Sequence, residues 1–388
     1  MSIAEIDKEY IANTYARFPV ELVSGKGAIL KDADGKEYID LGAGIAVNVF
    51  GVADDEWLKA VTNQLSTLTH TSNLYFTEPC ARLAQMLCER TGMKKAFFGN
   101  SGAEANECAI KVARRYAFEK YGDESHSTII TLKNSFHGRT IATLTATGQD
   151  GYHTHFGPFV EGFVYAEANN LDDVKRLADE NNCVAVMMEL VQGEGGVCKL
   201  DEDFVKGVKA LADEKEMLVI IDEVQTGNGR TGSLYAFQQY GFMPDIVTTA
   251  KGIGGGLPIG IAMLGEKVQD VLIPGSHGTT FGGNPVCCAG ACNILSRIDD
   301  ELLNEVKAKS EYIFEELSNA QGVKSVSGLG LMIGIETEKS AKDIVGACLE
   351  KGVLVLTAKT KVRLLPPLNI SWDDLKKAIA ILKETIAE

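Results

Sequence analysis

Between residues 95 and 264 the chain repeats one pattern: a short apolar run rich in Val, Ile and Thr, then a longer stretch with helical periodicity. Seven such runs stand out, at 95–98, 128–132, 163–166, 184–190, 218–222, 245–249 and 259–264. Several are apolar almost throughout, as in strands covered on both faces. Helical stretches fill 103–121, 171–180 and 201–215 between them. Strands that alternate with covering helices predict an α/β fold, a mostly parallel seven-stranded sheet flanked by helices.

The two ends read differently. Residues 20–42 predict a hairpin turning at Asp32-Ala33-Asp34-Gly35, and residues 301–388 mix amphipathic helices with short strands at 331–336 and 362–365. A smaller α+β domain built from both termini is expected, with the chain divided as 1–55, 56–287 and 288–388, the middle part being the large domain.

Composition excludes several classes of function. Lys and Arg number 38 against 53 Asp and Glu, a net charge of −15, which argues against nucleic-acid or anionic-membrane partners. No apolar run reaches the ~18 residues of a membrane span. The start, MSIAEIDKEYIANTYARF, carries acids and no apolar core, unlike a signal peptide. Nine cysteines without CxxC or zinc spacing predict free thiols in a reducing cytoplasm. His153-x-His155 belongs to no Cys/His spacing typical of zinc, so no metal is expected.

Three stretches gather residues that carry chemistry. In FFGNSGAEANECAIKVARR (97–115) a strand runs through Gly99-Asn100-Ser101-Gly102 directly into a helix. Ser101 and Glu104 stand at capping-box spacing, and Gly102 lets a ligand approach the free N–H groups of the first turn, as an anion site requires. An ordinary capped glycine turn fits the same local sequence. In MLVIIDEVQTGNGRTG (217–232) an apolar strand ends on Asp222, an acid suited to proton transfer, metal binding or pairing with a cationic ring nitrogen. In DIVTTAKGIGGG (245–256) another strand ends on Lys251, followed by glycines that leave room for a flat ligand. A lysine desolvated in such a pocket loses its proton readily and attacks carbonyls. Phosphate cradle, acid and Schiff-base lysine are together the parts that hold pyridoxal phosphate.

Taken in order, NSGAEANE (100–107), SFHGRT (135–140), QGEGG (192–196), IDEVQTGNGRTG (221–232), TTAKGIGGGLPIG (248–260), HGTTFGGNP (277–285) and VRLLPPL (362–368) resemble the motifs of the class III pyridoxal-phosphate aminotransferases of fold type I. The resemblance implies that Lys251 bonds the cofactor aldehyde and later carries a proton, and that Asp222 pairs with the ring nitrogen. It implies that Ser101, Gly102 and Ala103 hold the phosphate, that Phe136 and Val224 pack on the two ring faces, and that Gln225 bonds near the ring hydroxyl. Thr280 is implied to reach the cofactor phosphate of a neighbouring subunit, which makes a homodimer with shared active sites. Arg139 and Arg363 are implied to take substrate carboxylates, with Glu194 masking Arg363 until 2-oxoglutarate enters.

Within the family the resemblance is to members acting on N2-acetyl-L-ornithine. IDLGAGIAVN (39–48) has Gly44 and Ile45 where ornithine-specific members usually place a tyrosine for the α-amino group. HTSNLYF (70–76) offers Asn73 to the acyl pocket, and Tyr15 stands where an N-terminal aromatic meets the substrate. The implied reaction moves the distal amino group of N2-acetyl-L-ornithine to 2-oxoglutarate, a step of arginine biosynthesis. Succinyldiaminopimelate, succinylornithine, ornithine and 4-aminobutyrate are alternative donors; an aminomutase and a cofactor-less scaffold are alternatives of other classes. The family's usual Gly-His-x-His-Pro stretch is replaced by Val49-Phe50-Gly51-Val52-Ala53-Asp54-Asp55, which alters the turn before the Trp57 helix and leaves a changed site entrance open.

Overall fold

The computed structural model describes residues 2–388. Its centre is a seven-stranded sheet of β1 (Lys95–Gly99), β2 (Thr128–Leu132), β3 (Phe163–Ala166), β4 (Cys183–Met188), β5 (Leu218–Asp222), β6 (Ile246–Thr249) and β7 (Gly260–Leu264), in the order β1-β7-β6-β5-β4-β2-β3. The apolar runs of the sequence are these strands, with ends shifted by at most two residues. From β6 to β3 all neighbours are parallel, whereas β7 runs against both β6 and β1. The connection from β6 to β7 spans only residues 250–259, too short for the helical crossover that a parallel return needs.

Strand β5 shows why these runs are apolar throughout. Successive side chains point to opposite faces. Leu218 and Ile220 join the layer containing Ala109, Val112 and Ala113 of helix Gly102–Tyr121, whereas Val219 and Ile221 join Val205 and Val208 of helix Glu202–Glu214. Each face is buried under a different set of helices.

The termini build the remaining sheets. Leu22–Lys26, Ile29–Asp32 and Glu37–Asp40 are three antiparallel strands rather than one hairpin, because Gly27, at φ 60°, adds a corner that the sequence reading passed over. The expected turn follows, with Asp32 Oδ1 accepting from the N–H groups of Asp34 and Lys36. Val353–Leu354 pairs with Glu37–Asp40, so both ends of the chain share one sheet. A second four-stranded sheet holds Val323–Leu329, Met332–Thr337, Lys361–Leu364 and Leu356–Ala358 in spatial order, and Arg363 lies on its third strand. The expected division at 287/288 falls inside one helix, Pro285–Arg297, which packs on helices Asp55–Thr67 and Glu78–Thr91.

The stretch at 49–55 that departs from the family pattern is a turn pinned from two sides. A Cβ on Gly51 would lie 2.5 Å from the Gly27 backbone. Asp54 caps the following helix at Trp57 N (2.9 Å) and binds Arg297 at 2.5 and 3.0 Å, while the Arg297 guanidinium rests 3.9 Å over the Phe50 ring.

Strand β7 begins where the chain presses against the turn after β1: a Cβ on Gly260 would lie 1.9 Å from the Ser101 carbonyl oxygen. Gly260→Ala is expected to destabilise the protein by about 1–3 kcal/mol, as overpacking against backbone does. The urea-denaturation midpoint measures this, and an unchanged midpoint would contradict the close approach.

Candidate active site

The turns after β1, β2, β4, β5 and β6 meet at the carboxyl ends of the parallel strands, where open α/β sheets gather ligands. A cavity of about 480 Å³ opens there, lined by Ser101, Gly102, Ala103, Phe136, Arg139, Asp222, Val224, Gln225 and Lys251 among others.

Asp222 is buried at the end of β5. Its Oδ2 accepts from Asn106 Nδ2 and His137 Nδ1, both at 2.8 Å, and its Oδ1 accepts from Val224 N–H at 3.0 Å. Asn106 is held in turn, donating to the His137 carbonyl and accepting from Thr248 Oγ1, each at 2.7 Å. With a proton on Nδ1 facing the carboxylate, the buried His137 Nε2 is left without a partner among the described residues. A carboxylate offers about four acceptor positions. Three are taken, so one remains for the cavity.

Two further carboxyls are buried nearby. Glu189 lines the cavity and accepts from the N–H groups of Phe136 (2.8 Å) and Gly193 (3.1 Å). Burial pushes its pKa up to about 7, with the Asp222 charge adding and His137 opposing. Glu223 accepts from Thr226 Oγ1 (2.5 Å) and Phe237 N–H (2.8 Å), and burial raises it likewise to about 7.

The turn after β1 forms a cradle. Ser101 Oγ accepts from Glu104 N–H at 3.1 Å and caps the helix. The Glu104 carboxylate does not close the expected box on Ser101 N–H; its Oε2 accepts from Asn100 N–H at 2.6 Å instead. The Gly102 and Ala103 N–H groups therefore have no acceptor among the described residues and line the cavity. No side chain fits at 102, where a Cβ would lie 2.7 Å from Val224 Cγ1. Free amides at the positive end of a helix dipole suit an anion.

Lys251 follows β6 at φ 46°, a left-handed backbone that costs a non-glycine residue about 1 kcal/mol or more. Burial lowers its pKa; Glu194 and Asp222 oppose this, Arg363 adds to it, and the net direction is down. The glycines after it serve mainly packing, contrary to the sequence reading. A Cβ on Gly252 would meet Val49 and Asn228, one on Gly254 would meet Ile259, and one on Gly255 the Trp57 indole; only Gly256 of the four lines the cavity.

Arg363 enters from the C-terminal sheet. It is 3% exposed, and its Nη1 donates to Glu194 Oε1 at 2.6 Å and to Gln225 Oε1 at 3.3 Å. Burial pushes the Glu194 carboxyl upward, but the Arg363 charge and hydrogen bond, aided by Lys251, hold it below its ordinary value. Arg139, by contrast, has no ion-pair partner among the described residues. Its guanidinium lies 4.2 Å from the Tyr152 ring centre and 5.5 Å from that of Phe136.

Five expected residues do not line the cavity of this chain: Glu194 and Arg363 adjoin it behind Gln225, and Tyr15, Asn73 and Thr280 lie apart from it. Tyr15 is 71% exposed. Asn73 Nδ2 donates to the carbonyls of Thr279 (3.3 Å) and Gly282 (2.9 Å), tying down a loop on which Thr280 is exposed. Sequence reasoning overlooked Asn106, His137, Glu189 and Tyr152. Asn106 was detectable, since it interrupts the apolar helix stripe that continues through Ala109, Ile110 and Ala113.

The raised carboxyls make stability depend on pH. Glu223 favours the protonated folded state, so its contribution is complete below its ordinary value of 4.5 and is lost as pH rises through about 7. The loss for this group is about 3 kcal/mol. Denaturation midpoints of the apoprotein measured from pH 4.5 to 8 should fall more steeply for the parent than for Glu223→Gln; parallel profiles would exclude Glu223 as a cause.

The residues fit pyridoxal phosphate: unpaired amides in a cradle that a Cβ at 102 would fill, a carboxylate with a free acceptor, an aromatic face at Phe136 and an amine biased toward neutrality. The pattern of the family Aminotransferase class-III matches residues 10–386. The chain is 51% identical over 388 residues to an acetylornithine aminotransferase of Haemophilus ducreyi, covering 100% of this chain and 98% of that one. It is 44% identical to the acetylornithine aminotransferase of Methanocaldococcus jannaschii, with 99% and 98% covered. Among solved structures, an ornithine aminotransferase from Toxoplasma gondii, described with partial occupancy of PLP at its active site, superposes with a TM-score of 0.94 at 30% identity, covering 99% of this chain and 93% of that one. The N-acetylornithine aminotransferase of Stenotrophomonas maltophilia gives 0.86 at 32% identity, with 99% and 98% covered. With the family pattern matched over residues 10–386 and a cavity whose residues fit the cofactor, the chain belongs to the class-III aminotransferases, enzymes that depend on pyridoxal phosphate.

Proposed function

We propose that this aminotransferase moves the distal amino group of N2-acetyl-L-ornithine to 2-oxoglutarate, giving N-acetyl-L-glutamate 5-semialdehyde and L-glutamate, in arginine biosynthesis. Full-length relatives named acetylornithine aminotransferase support the reading. The observation that carries it is the unequal state of two arginines: Arg363 is neutralised by Glu194 at 2.6 Å, whereas Arg139 is unpaired. A donor with one carboxylate and an acylated α-amine meets one available cation. A dicarboxylic acceptor needs two, and gains the second when Glu194 releases Arg363.

The amides of Gly102 and Ala103 with Ser101 would hold the cofactor phosphate, Asp222 the ring nitrogen, Phe136 and Val224 the two ring faces, Gln225 the ring hydroxyl and Lys251 the aldehyde end. Bound there, pyridoxal phosphate supplies a carbonyl for the amino group and a ring that accepts electrons. Lys251, whose pKa burial lowers, takes up and returns the proton at the reacting carbon. Asn106 and His137 orient Asp222, and Glu189 fixes the Phe136 backbone. Titration of the holoenzyme, followed by cofactor absorbance, should show conversion by N-acetylornithine at concentrations about 100-fold below those needed for ornithine or 4-aminobutyrate. Equal response to ornithine would discard the donor. Glu194→Gln should raise KM for N-acetylornithine about tenfold and leave that for 2-oxoglutarate unchanged or lower.

A second copy of the chain completes the site in this reading. Leu74, Tyr75, Phe76 and Phe281 are exposed together, His70 lies 5.3 Å from the Phe281 ring, and Asn73 joins their two segments. Apolar surface of this kind marks an interface. Covering it would bring Thr280 toward the partner's cofactor phosphate. Sedimentation should find a dimer, and Phe76→Asp with Phe281→Asp should yield monomers that lose cofactor on dialysis; a wild-type monomer with full activity would overturn the shared site. No helix among the described residues is long and apolar enough to cross a membrane. Nine free thiols support a reducing compartment, the cytoplasm.

A further inference from the structure

A second cavity, of about 620 Å³, opens beside the middle of helix Gly102–Tyr121 and shares no lining residue with the cavity at Lys251. Lys111, Arg114, Arg115 and Phe118 reach it from one face of the helix, and Leu272 and Ser276 close it from the segment before HGTTFGG. Arg115 is paired with Glu119 at 2.9 Å. Lys111 and Arg114 are paired with no carboxylate among the described residues. Lys111 Nζ donates instead to the Ser276 carbonyl (3.1 Å) and to His277 Nδ1 (2.9 Å). Arg114 Nη2 donates to the Glu161 carbonyl at 2.5 Å, its guanidinium lies 5.3 Å from the Phe163 ring centre, and its buried Nε has no partner among the described residues. The nearby Glu107 carboxylate is engaged by Thr140 and Thr143.

Acids outnumber bases 53 to 38 in this chain, so carboxylates are in surplus, yet none among the described residues forms a contact ion pair with these two cations; Glu107 acts on Arg114 only from beyond contact. A half-buried guanidinium with no carboxylate in contact gains from an anion that reaches it. The two cations are three residues apart on one helix face, close enough to share one doubly charged group. Glu124, which also lines the cavity and has no ion-pair partner among the described residues, would repel a second carboxylate farther along a ligand. We propose that this cavity binds a small phosphorylated metabolite, its phosphoryl group on Lys111 and Arg114 and its body against Phe118 and Leu272. The site communicates with catalysis through Lys111. Its present partners, Ser276 and His277, lead into the loop where Thr279 Oγ1 accepts from Asn100 Nδ2 at 2.8 Å, and Asn100 lines the catalytic cavity.

Calorimetric titration of the holoenzyme in phosphate-free buffer tests this, because the cofactor already fills the catalytic cradle. Inorganic phosphate and glucose 6-phosphate should each bind saturably, and the singly charged nitrate ion should bind at least about tenfold more weakly. Lys111→Gln, at an exposed position, and Arg114→Gln should each weaken phosphate binding about tenfold or more. Absence of saturable binding, equal binding of nitrate, or undiminished binding by the folded Lys111→Gln protein would each overturn the proposal.

Discussion

The buried Asp222 carboxylate is the constraint around which the rest is arranged. Removing a carboxylate from water costs several kcal/mol unless donors replace the lost hydration. Here the donors come from three places: Asn106 on the helix after β1, His137 in the turn after β2, and the backbone of Val224. The first two lie 116 and 85 residues away in sequence. The carboxylate is tolerable only where these segments converge, and the same convergence creates the cavity. Strand order puts β5 inside the sheet, so its carboxyl end is surrounded on all sides by turns that can supply donors.

The Arg363–Glu194 pair imposes a second condition. Arg363 belongs to the C-terminal sheet, whereas Glu194 and Gln225 belong to turns of the central one. A buried ion pair contributes little net stability, but either charge left alone there is strongly unfavourable. The pair therefore sets how the two sheets meet more than how firmly they hold. Arg139 is seated differently, on the faces of Tyr152 and Phe136, where a cation is favourably placed and its hydrogen-bonding edge stays available. Two arginines in one site thus differ in availability, and a site for two unlike substrates needs that difference.

Much of this was legible in the chain itself. Apolar runs marked all seven central strands because both faces of the sheet are covered, and helix Leu171–Glu180 appeared where its periodicity placed it. Strand ends carrying Asp222, Lys251 and the Ser101 turn pointed to the cavity, since ligands gather at carboxyl ends of parallel strands. Less was legible where a residue's partner lies far along the chain. Gly252, Gly254 and Gly255 read as room for a ligand, yet they admit Val49, Ile259 and Trp57, a close approach that local sequence does not encode. Asn73 read as a pocket residue, yet its amide is spent on a loop about two hundred residues away.

Sequence by itself determined the α/β architecture, the family and the kinds of group at the cavity, because periodicity and motif order are local properties of the chain. The tertiary structure alone decided the reversed direction of β7, the donors that make a buried Asp222 tolerable, and the raised carboxyls of Glu189 and Glu223. Those depend on the dielectric surroundings and on charges brought together from distant segments, which exist only once the chain has closed on itself.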